Sequence, residues 1–272
     1  MTQEMRKSQE TVLVTGASAG IGLELAKLFA AAGARLVLVA RRVAKLEELA
    51  IQWKQQYQVD VRVLAADLSK PQTPDEIVRT LADWQVDIDV LVNNAGFGMQ
   101  GEFAKLDADR SIEMINVNIS ALTRLTRLML SGMLERRRGG VLNVGSIAGF
   151  LPGPYMSVYY ATKAYVISFS EALAEEVRDQ GVTISCLAPG PTESEFASVA
   201  HMDGSRLFRT RLMTSKEVAR IGYAGFRRGQ VLVIPGGLNK MTPWFARLVP
   251  RMVARRTAAW LQLPDRRSRG SC

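Results

Sequence analysis

Short apolar runs alternate along the chain with longer segments of helical periodicity. Seven such runs, rich in β-branched and aliphatic residues, occupy positions 11–15, 35–40, 61–66, 88–94, 141–146, 182–189 and 231–236. They are apolar throughout, which is typical of strands that a parallel sheet buries on both faces. The pattern therefore predicts a doubly wound α/β fold, with a seven-stranded parallel sheet between two layers of helices.

The segments between these runs support the same architecture. Residues 22–33, GLELAKLFAAAG, repeat apolar positions at helical spacing and end at Gly33, a predicted C-terminal cap. Two stretches break the alternation, 191–213 and 238–272, and each could cover a pocket. With no internal repeat or low-complexity linker, we predict one domain over 1–272, with a core at 11–237 and a C-terminal extension at 238–272.

Charge and cysteine content narrow the function classes. The formal charge is +9, but residues 238–272 contain eight basic residues and one acidic residue, so the remainder carries only +2. This distribution gives no reason to expect nucleic-acid binding by the core. Cys186 and Cys272 cannot form a disulfide framework. Because the polar start and short first apolar run also indicate no signal peptide or membrane span, a cytoplasmic location is expected.

A glycine-rich loop follows the first predicted strand. In VTGASAGIG, Gly16, Gly20 and Gly22 have the spacing G-x-x-x-G-x-G. Glycines there let backbone N–H groups and a helix N-terminus approach a pyrophosphate. A tight turn alone would also explain the glycines, but their place in a βαβ unit favours a dinucleotide.

The end of the second predicted strand indicates which dinucleotide. It carries Ala40 where an acidic residue would bind the 2′-hydroxyl of NAD, followed by Arg41 and Arg42. Arginine pairs with a phosphate through charge-assisted hydrogen bonds, and the Ser18 hydroxyl of the glycine loop would help to bind it. We therefore predict NADP(H), although the two arginines would also suit a solvated helix start.

Several further motifs occur in a fixed order: ADL at 66–68, NNAG at 93–96, Asn118 in NVNIS, Ser146 in NVGS, YYATK at 159–163 and PGPT at 189–192. With the glycine loop, this set resembles the short-chain dehydrogenase/reductase family over about 11–237. The resemblance implies a Rossmann-like fold and an NADP(H)-dependent oxidoreductase that interconverts a carbonyl and an alcohol. It also implies a homo-oligomer, a dimer or tetramer, although the extension departs from the family's usual end.

The resemblance assigns roles to matching residues. Asp67 would bind the adenine edge, Thr192 the nicotinamide carboxamide, Ser146 the substrate carbonyl, and Asn118 a water near the lysine. The implied catalytic residues are Asn118, Ser146, Tyr159 and Lys163, with no metal. The implied cofactor-binding residues are Gly16, Ser18, Gly20, Ile21, Gly22, Arg41, Asp67, Asn94, Tyr159, Lys163, Pro189 and Thr192. Taken singly, Asp67 and Asn118 could equally cap local turns.

Two adjacent tyrosines compete for the proton-donor role. Helical spacing puts either Tyr159 or Tyr160 on the face of Lys163, so geometry does not choose. The family's Y-x-x-x-K pattern selects Tyr159. A lysine cation about 4 Å away supplies roughly the 4 kcal/mol that lowers a tyrosine pKa from about 10 to about 7. We therefore expect Lys163 to lower the pKa of Tyr159.

Alternative readings remain at this point. His201 is the sole histidine. The sequence has no nucleophile elbow that would make His201 the base of a serine hydrolase, and no second soft ligand near it for a zinc site. The basic amphipathic segment at 240–262, with Thr242 as a cap and Pro250 dividing it, could cover the pocket, contact a partner subunit or lie on an anionic membrane. It could also simply pack its apolar residues on the domain and leave its arginines in water. The substrate is expected to be lipophilic. An NADP-binding sensor or scaffold without turnover, and a membrane-recruited adaptor, are the rival functions.

Overall fold

A seven-stranded parallel sheet lies at the centre of the computed structural model, which describes residues 9–196, 200 and 212–262. Its strands are Thr11–Thr15 (β1), Arg35–Ala40 (β2), Val61–Ala65 (β3), Val90–Asn93 (β4), Gly139–Val144 (β5), Val182–Leu187 (β6) and Leu232–Val233 (β9). The strand order is β3-β2-β1-β4-β5-β6-β9. A second, two-stranded parallel sheet joins Thr192–Glu193 (β7) to Met213–Thr214 (β8).

Helices cover both faces of the large sheet. They are Gly20–Ala31 (α1), Val43–Tyr57 (α2), Thr73–Asp83 (α3), Ala108–Ile115 (α4), Leu122–Glu135 (α5), Ser157–Glu176 (α6), Ser215–Arg227 (α7), Thr242–Leu248 (α8) and Arg251–Gln262 (α9). One core cluster includes Phe29 of α1 and Trp53 of α2, and another includes Ile77 of α3 and Leu125 of α5. The predicted doubly wound α/β architecture is confirmed.

The last strand is shorter than predicted. Residues 231–236 were expected to be extended, but only Leu232–Val233 pairs with β6. Pro235 has no backbone N–H to donate, and Gly236 has φ +89°, so the chain leaves the sheet there. The predicted end of α1 is confirmed, because the helix stops at Ala31 and Gly33 has φ +85°.

The C-terminal extension forms the two short helices α8 and α9. Pro250 lies between them, as predicted. The prediction that Thr242 caps α8 is wrong: Thr242 is the first helical residue, Met241 before it is already in the αR region, and no side chain caps this end. None of the helices in the described part of the chain combines the length and hydropathy needed to cross a bilayer.

Candidate active site

A cavity of about 790 Å³ opens at the carboxyl ends of the parallel strands. The strand order reverses between β1 and β4, and such a switch point leaves a crevice between the loops that follow the two strands. Of the residues implied by the family resemblance, all but Gly22 and Asn118 line this cavity. The fold thus brings together side chains separated by almost 180 positions in the sequence.

The glycine loop forms one wall of the cavity. Gly16 has φ +64°, and a Cβ there would lie 2.8 Å from Asn94 Nδ2. The Asn94 amide donates to the carbonyl oxygens of Thr15 and Gly16 at 3.0 and 3.2 Å, so β4 holds the loop that leaves β1. Helix α1 starts at Gly20 directly behind this loop, where its N-terminus favours an anion.

Gly22 supports the loop from inside α1. A Cβ at this position would collide with Asn94 Nδ2 and lie 2.5 Å from the carbonyl oxygen of Gly16. We expect Gly22→Ala to lower the free energy of unfolding by about 1–3 kcal/mol, because backbone and a hydrogen-bonded amide must move. Urea unfolding measures the change. Gly237→Ala is the control, since a Cβ there meets nothing within 4 Å; equal stability of the two variants would contradict the prediction.

The far end of the cavity contains the cationic residues that follow β2. Arg42, not Arg41, contacts Ser18, with Nε 3.2 Å from the hydroxyl oxygen, and it also pairs with Glu195 at 3.0 Å. Arg41 lines the cavity beside Asp67. Burial alone would raise the pKa of the Asp67 carboxyl, but hydrogen bonds from Ser69 and the charge of Arg41 lower this pKa on balance.

Ser146, Tyr159 and Lys163 meet in the cavity between β5 and α6. Ser146 Oγ accepts from the Ala148 N–H at 3.1 Å, lies 3.3 Å from the Pro189 carbonyl oxygen, and is hydrogen-bonded to the Tyr159 side chain. Lys163 is only 6% exposed, and its Nζ donates to the Val144 carbonyl at 2.8 Å. The same Nζ lies 5.8 Å from the centre of the Tyr159 ring.

The prediction that Lys163 lowers the pKa of Tyr159 is wrong for the protein without a bound cofactor. Burial raises the pKa of this phenol well above its ordinary value, and the hydrogen bond from Ser146 offsets only part of the rise. Burial also lowers the pKa of Lys163 to about 8. Tyr159 is therefore a protonated phenol at neutral pH, which is the form that a proton donor requires.

Asn118 lies in a π-helical turn, 116–121, that joins α4 to α5. Its Oδ1 accepts from Phe97 N at 3.1 Å, while its Nδ2 donates to Phe97 O and to Thr162 Oγ1, both at 3.0 Å. A Cβ at Gly96 would lie 3.0 Å from Asn118 Oδ1 and 3.6 Å from Lys163 Nζ, so the amide is close to the lysine. Single π turns in helices often occur at functional sites.

The C-terminal helices complete the cavity, a role that the sequence indicated only as one of several alternatives. Tyr160 accepts a 2.7 Å hydrogen bond from Gln262 Nε2, and Gln100 Nε2 donates to the Gln262 carbonyl at 2.6 Å. No sequence signal links residues so far apart. His201, Cys272 and most of the 191–213 loop lie outside the described residues. Residues of the extension that line the cavity include Leu238, Met241, Thr242, Phe245, Ala254, Ala258 and Leu261.

Comparison with known proteins supports a family assignment. The family model described as short chain dehydrogenase matches residues 10–203. Very-long-chain 3-oxoacyl-CoA reductase of Rattus norvegicus is 36% identical over 194 residues, covering 70% of this chain but 62% of the relative. NADP-dependent 3-hydroxy acid dehydrogenase of Schizosaccharomyces pombe is 36% identical over 71% of this chain and 76% of its own. A short-chain dehydrogenase from Sphingobium yanoikuyae, solved in complex with NADPH, superposes with a TM-score of 0.78 at 32% identity, covering 89% and 97% of the two chains.

Proposed function

The chain belongs to the short-chain dehydrogenase family, and on this premise we propose that it is an NADP(H)-dependent oxidoreductase interconverting a lipophilic ketone or aldehyde and its alcohol. The observation that carries the proposal is one continuous cavity. The glycine loop and Arg41 lie at one end of it, while Ser146, Tyr159 and Lys163 lie together in its wall. A dinucleotide site and a proton donor thus share one space.

The residues at the cofactor end fit a 2′-phosphorylated dinucleotide. A Cβ at Gly16 would crowd Asn94 and Ala95, so glycine lets the loop lie close against the end of β4 in the conformation that turns its backbone N–H groups toward a pyrophosphate. Arg41 supplies a cation at the end of β2, where Ala40 offers no carboxylate to repel a phosphate. Two relatives support the same choice by their names, the NADPH complex and the NADP-dependent 3-hydroxy acid dehydrogenase.

In carbonyl reduction, bound NADPH supplies the hydride that adds to the carbonyl carbon. Ser146 donates a hydrogen bond to the carbonyl oxygen and orients it, and Tyr159 transfers its phenolic proton to that oxygen, so the product is a neutral alcohol. The Lys163 cation stabilises the phenolate left on Tyr159 until a proton returns from solvent. Asn118, through Thr162 and Phe97, keeps the surroundings of Lys163 in place.

The substrate end of the cavity is apolar. Phe196 packs on the Tyr159 ring with centroids 5.2 Å apart, and Met156 is buried beside both tyrosines. Leu151 and the extension residues Phe245 and Leu261 complete the lining. A long or bulky hydrocarbon next to the carbonyl would bury this surface favourably. The name of the rat relative, a very-long-chain 3-oxoacyl-CoA reductase, agrees with such a substrate class.

Oxidation of NADPH, followed optically against a panel of ketones and aldehydes of increasing hydrocarbon size, tests the proposal. We expect turnover to improve with apolar size. Tight NADPH binding with no turnover of any carbonyl would instead favour a sensor or scaffold.

Arg41 is expected to set the cofactor preference. Loss of a charge-assisted contact to the 2′-phosphate in Arg41→Ala should raise the KM for NADPH by about tenfold to a hundredfold and leave the KM for NADH nearly unchanged. Steady-state kinetics with both cofactors measures the split. Lys54→Ala, on the exposed side of α2, is the matched loss of charge. A parallel rise for both cofactors would contradict the assignment.

A further inference from the structure

The C-terminal helices expose an unusual amount of apolar surface. Met241, Trp244 and Leu248 follow one another at helical spacing and are 63%, 62% and 78% exposed. On α9, Ala254 and Ala258 face the protein, whereas Met252 and Val253 are exposed. We call the exposed apolar set Leu238, Met241, Trp244, Leu248, Met252 and Val253 the C-terminal face. Because three of the six recur at helical spacing, they are more than singly scattered apolar residues.

Exposed basic residues are interspersed in sequence with the residues of the C-terminal face. Residues 238–262 contain five basic residues and no acidic one. Among the described residues none of the five takes part in an ion pair. The five cations are Lys240, Arg247, Arg251, Arg255 and Arg256. Uncompensated arginines beside exposed tryptophan and leucine match a negatively charged, partly apolar partner surface.

A second copy of the chain is a poor match for this face. A two-fold interface places the same patch of each subunit against the other, so five cations would face five cations. Like charges opposed at an interface cost binding energy. An anionic lipid surface has the opposite charge and also accepts the apolar side chains.

We propose that the C-terminal face binds the surface of anionic lipid bilayers. Helices α8 and α9, of 7 and 12 residues, lie in the interface plane and are too short to span. Leu238, Met241 and Phe245 line the cavity and are themselves exposed, so the cavity opens on the same surface. If the proposed function holds, a lipophilic carbonyl passes from the bilayer into the site without crossing water; the binding itself does not depend on that function.

Flotation of the full-length protein tests the proposal without substrate or cofactor. We expect recovery with vesicles of phosphatidylcholine plus phosphatidylglycerol and little with phosphatidylcholine alone. Because each cation near such a surface contributes several-fold, Arg255→Gln/Arg256→Gln should weaken binding about thirtyfold. Trp244→Ser/Leu248→Ser should abolish it. Ile51→Ser, at an exposed apolar position on α2, should bind like the unchanged protein.

Three results would overturn the proposal. The first is equal recovery with both vesicle types, and the second is unchanged binding by the two double variants. The third is absence of vesicle binding together with a dimer, measured by light scattering, that Trp244→Ser/Leu248→Ser converts to a monomer, which would make the face an interface between copies. Circular dichroism of each variant ensures that a loss of binding is not a loss of fold.

Discussion

Replacement of Tyr159 by phenylalanine is expected to lower kcat for carbonyl reduction by about 10²- to 10⁴-fold, the usual contribution of a positioned general acid. The variant loses the phenolic proton but almost no volume, and it keeps the ring contacts with Phe196 and Tyr160. NADPH binding should therefore change little, which fluorescence titration of the cofactor checks. Single-turnover measurement of NADPH oxidation isolates the chemical step.

Tyr160→Phe is the matched control, because it removes a hydroxyl from the neighbouring tyrosine. That hydroxyl contacts Gln262 and not Ser146, so the substitution should affect how the C-terminal helix closes the cavity more than it affects the chemical step. We expect its kcat to stay within about tenfold of the unchanged enzyme, with a change mainly in KM. The assignment would be wrong if Tyr160→Phe were inactive and Tyr159→Phe turned over normally.

Replacement of Lys163 by methionine is expected to reduce turnover by orders of magnitude. The same replacement should remove one contribution that destabilises the folded protein, the cost of burying the lysine cation. The cation is buried and has a carbonyl but no acidic partner among the described residues, so burial lowers its pKa from 10.5 to about 8. Below about pH 8 the folded protein bears the full cost of a buried charge, about 3 kcal/mol for this shift. Methionine removes that cost, although it leaves the Val144 carbonyl without its donor.

The pH dependence of stability distinguishes this account from simple loss of packing. Between about pH 8 and the unfolded pKa the unfolded lysine binds more protons than the folded one, so stability rises with pH in the unchanged protein only. Relative to Lys163→Met, the unchanged, cofactor-free protein should thus gain about 2–3 kcal/mol between about pH 7 and pH 10. Tyr159 and Cys186 titrate in both proteins, so their contributions to the pH dependence largely cancel in the difference between the two stabilities. Urea unfolding at the two pH values measures the difference, and a constant difference would refute the assigned burial cost.

The sheet and the cofactor loop were predictable because their causes are local. A continuous apolar run such as 35–40 is buried on both faces of the sheet, whichever helices pack on it. Gly16 has a positive φ, and a glycine in a tight loop already indicates such a conformation. The family resemblance then assigned Ser146 and Tyr159 to one site. The structure brings these two side chains together without any further assumption.

The features that the sequence did not predict depend mainly on contacts between distant residues and on burial. The contact between Tyr160 and Gln262 joins positions 102 residues apart, and periodicity says nothing about such pairs. The pKa of Tyr159 was expected to fall because a cation was counted without the desolvation that accompanies it. The Thr242 cap was assigned by residue type, but the helical conformation already begins before that residue.

The π turn at 116–121 has a consequence for insertions and deletions. A π turn holds one more residue than an α-helical turn needs, so removing one residue there would let ordinary i to i−4 bonds run from α4 into α5. The two halves of the helix would then be rotated by about 100° relative to each other. Asn118 would leave Phe97 and Thr162 while helix content stayed the same. A one-residue deletion at this turn would thus be nearly invisible to far-ultraviolet circular dichroism and ruinous to the site.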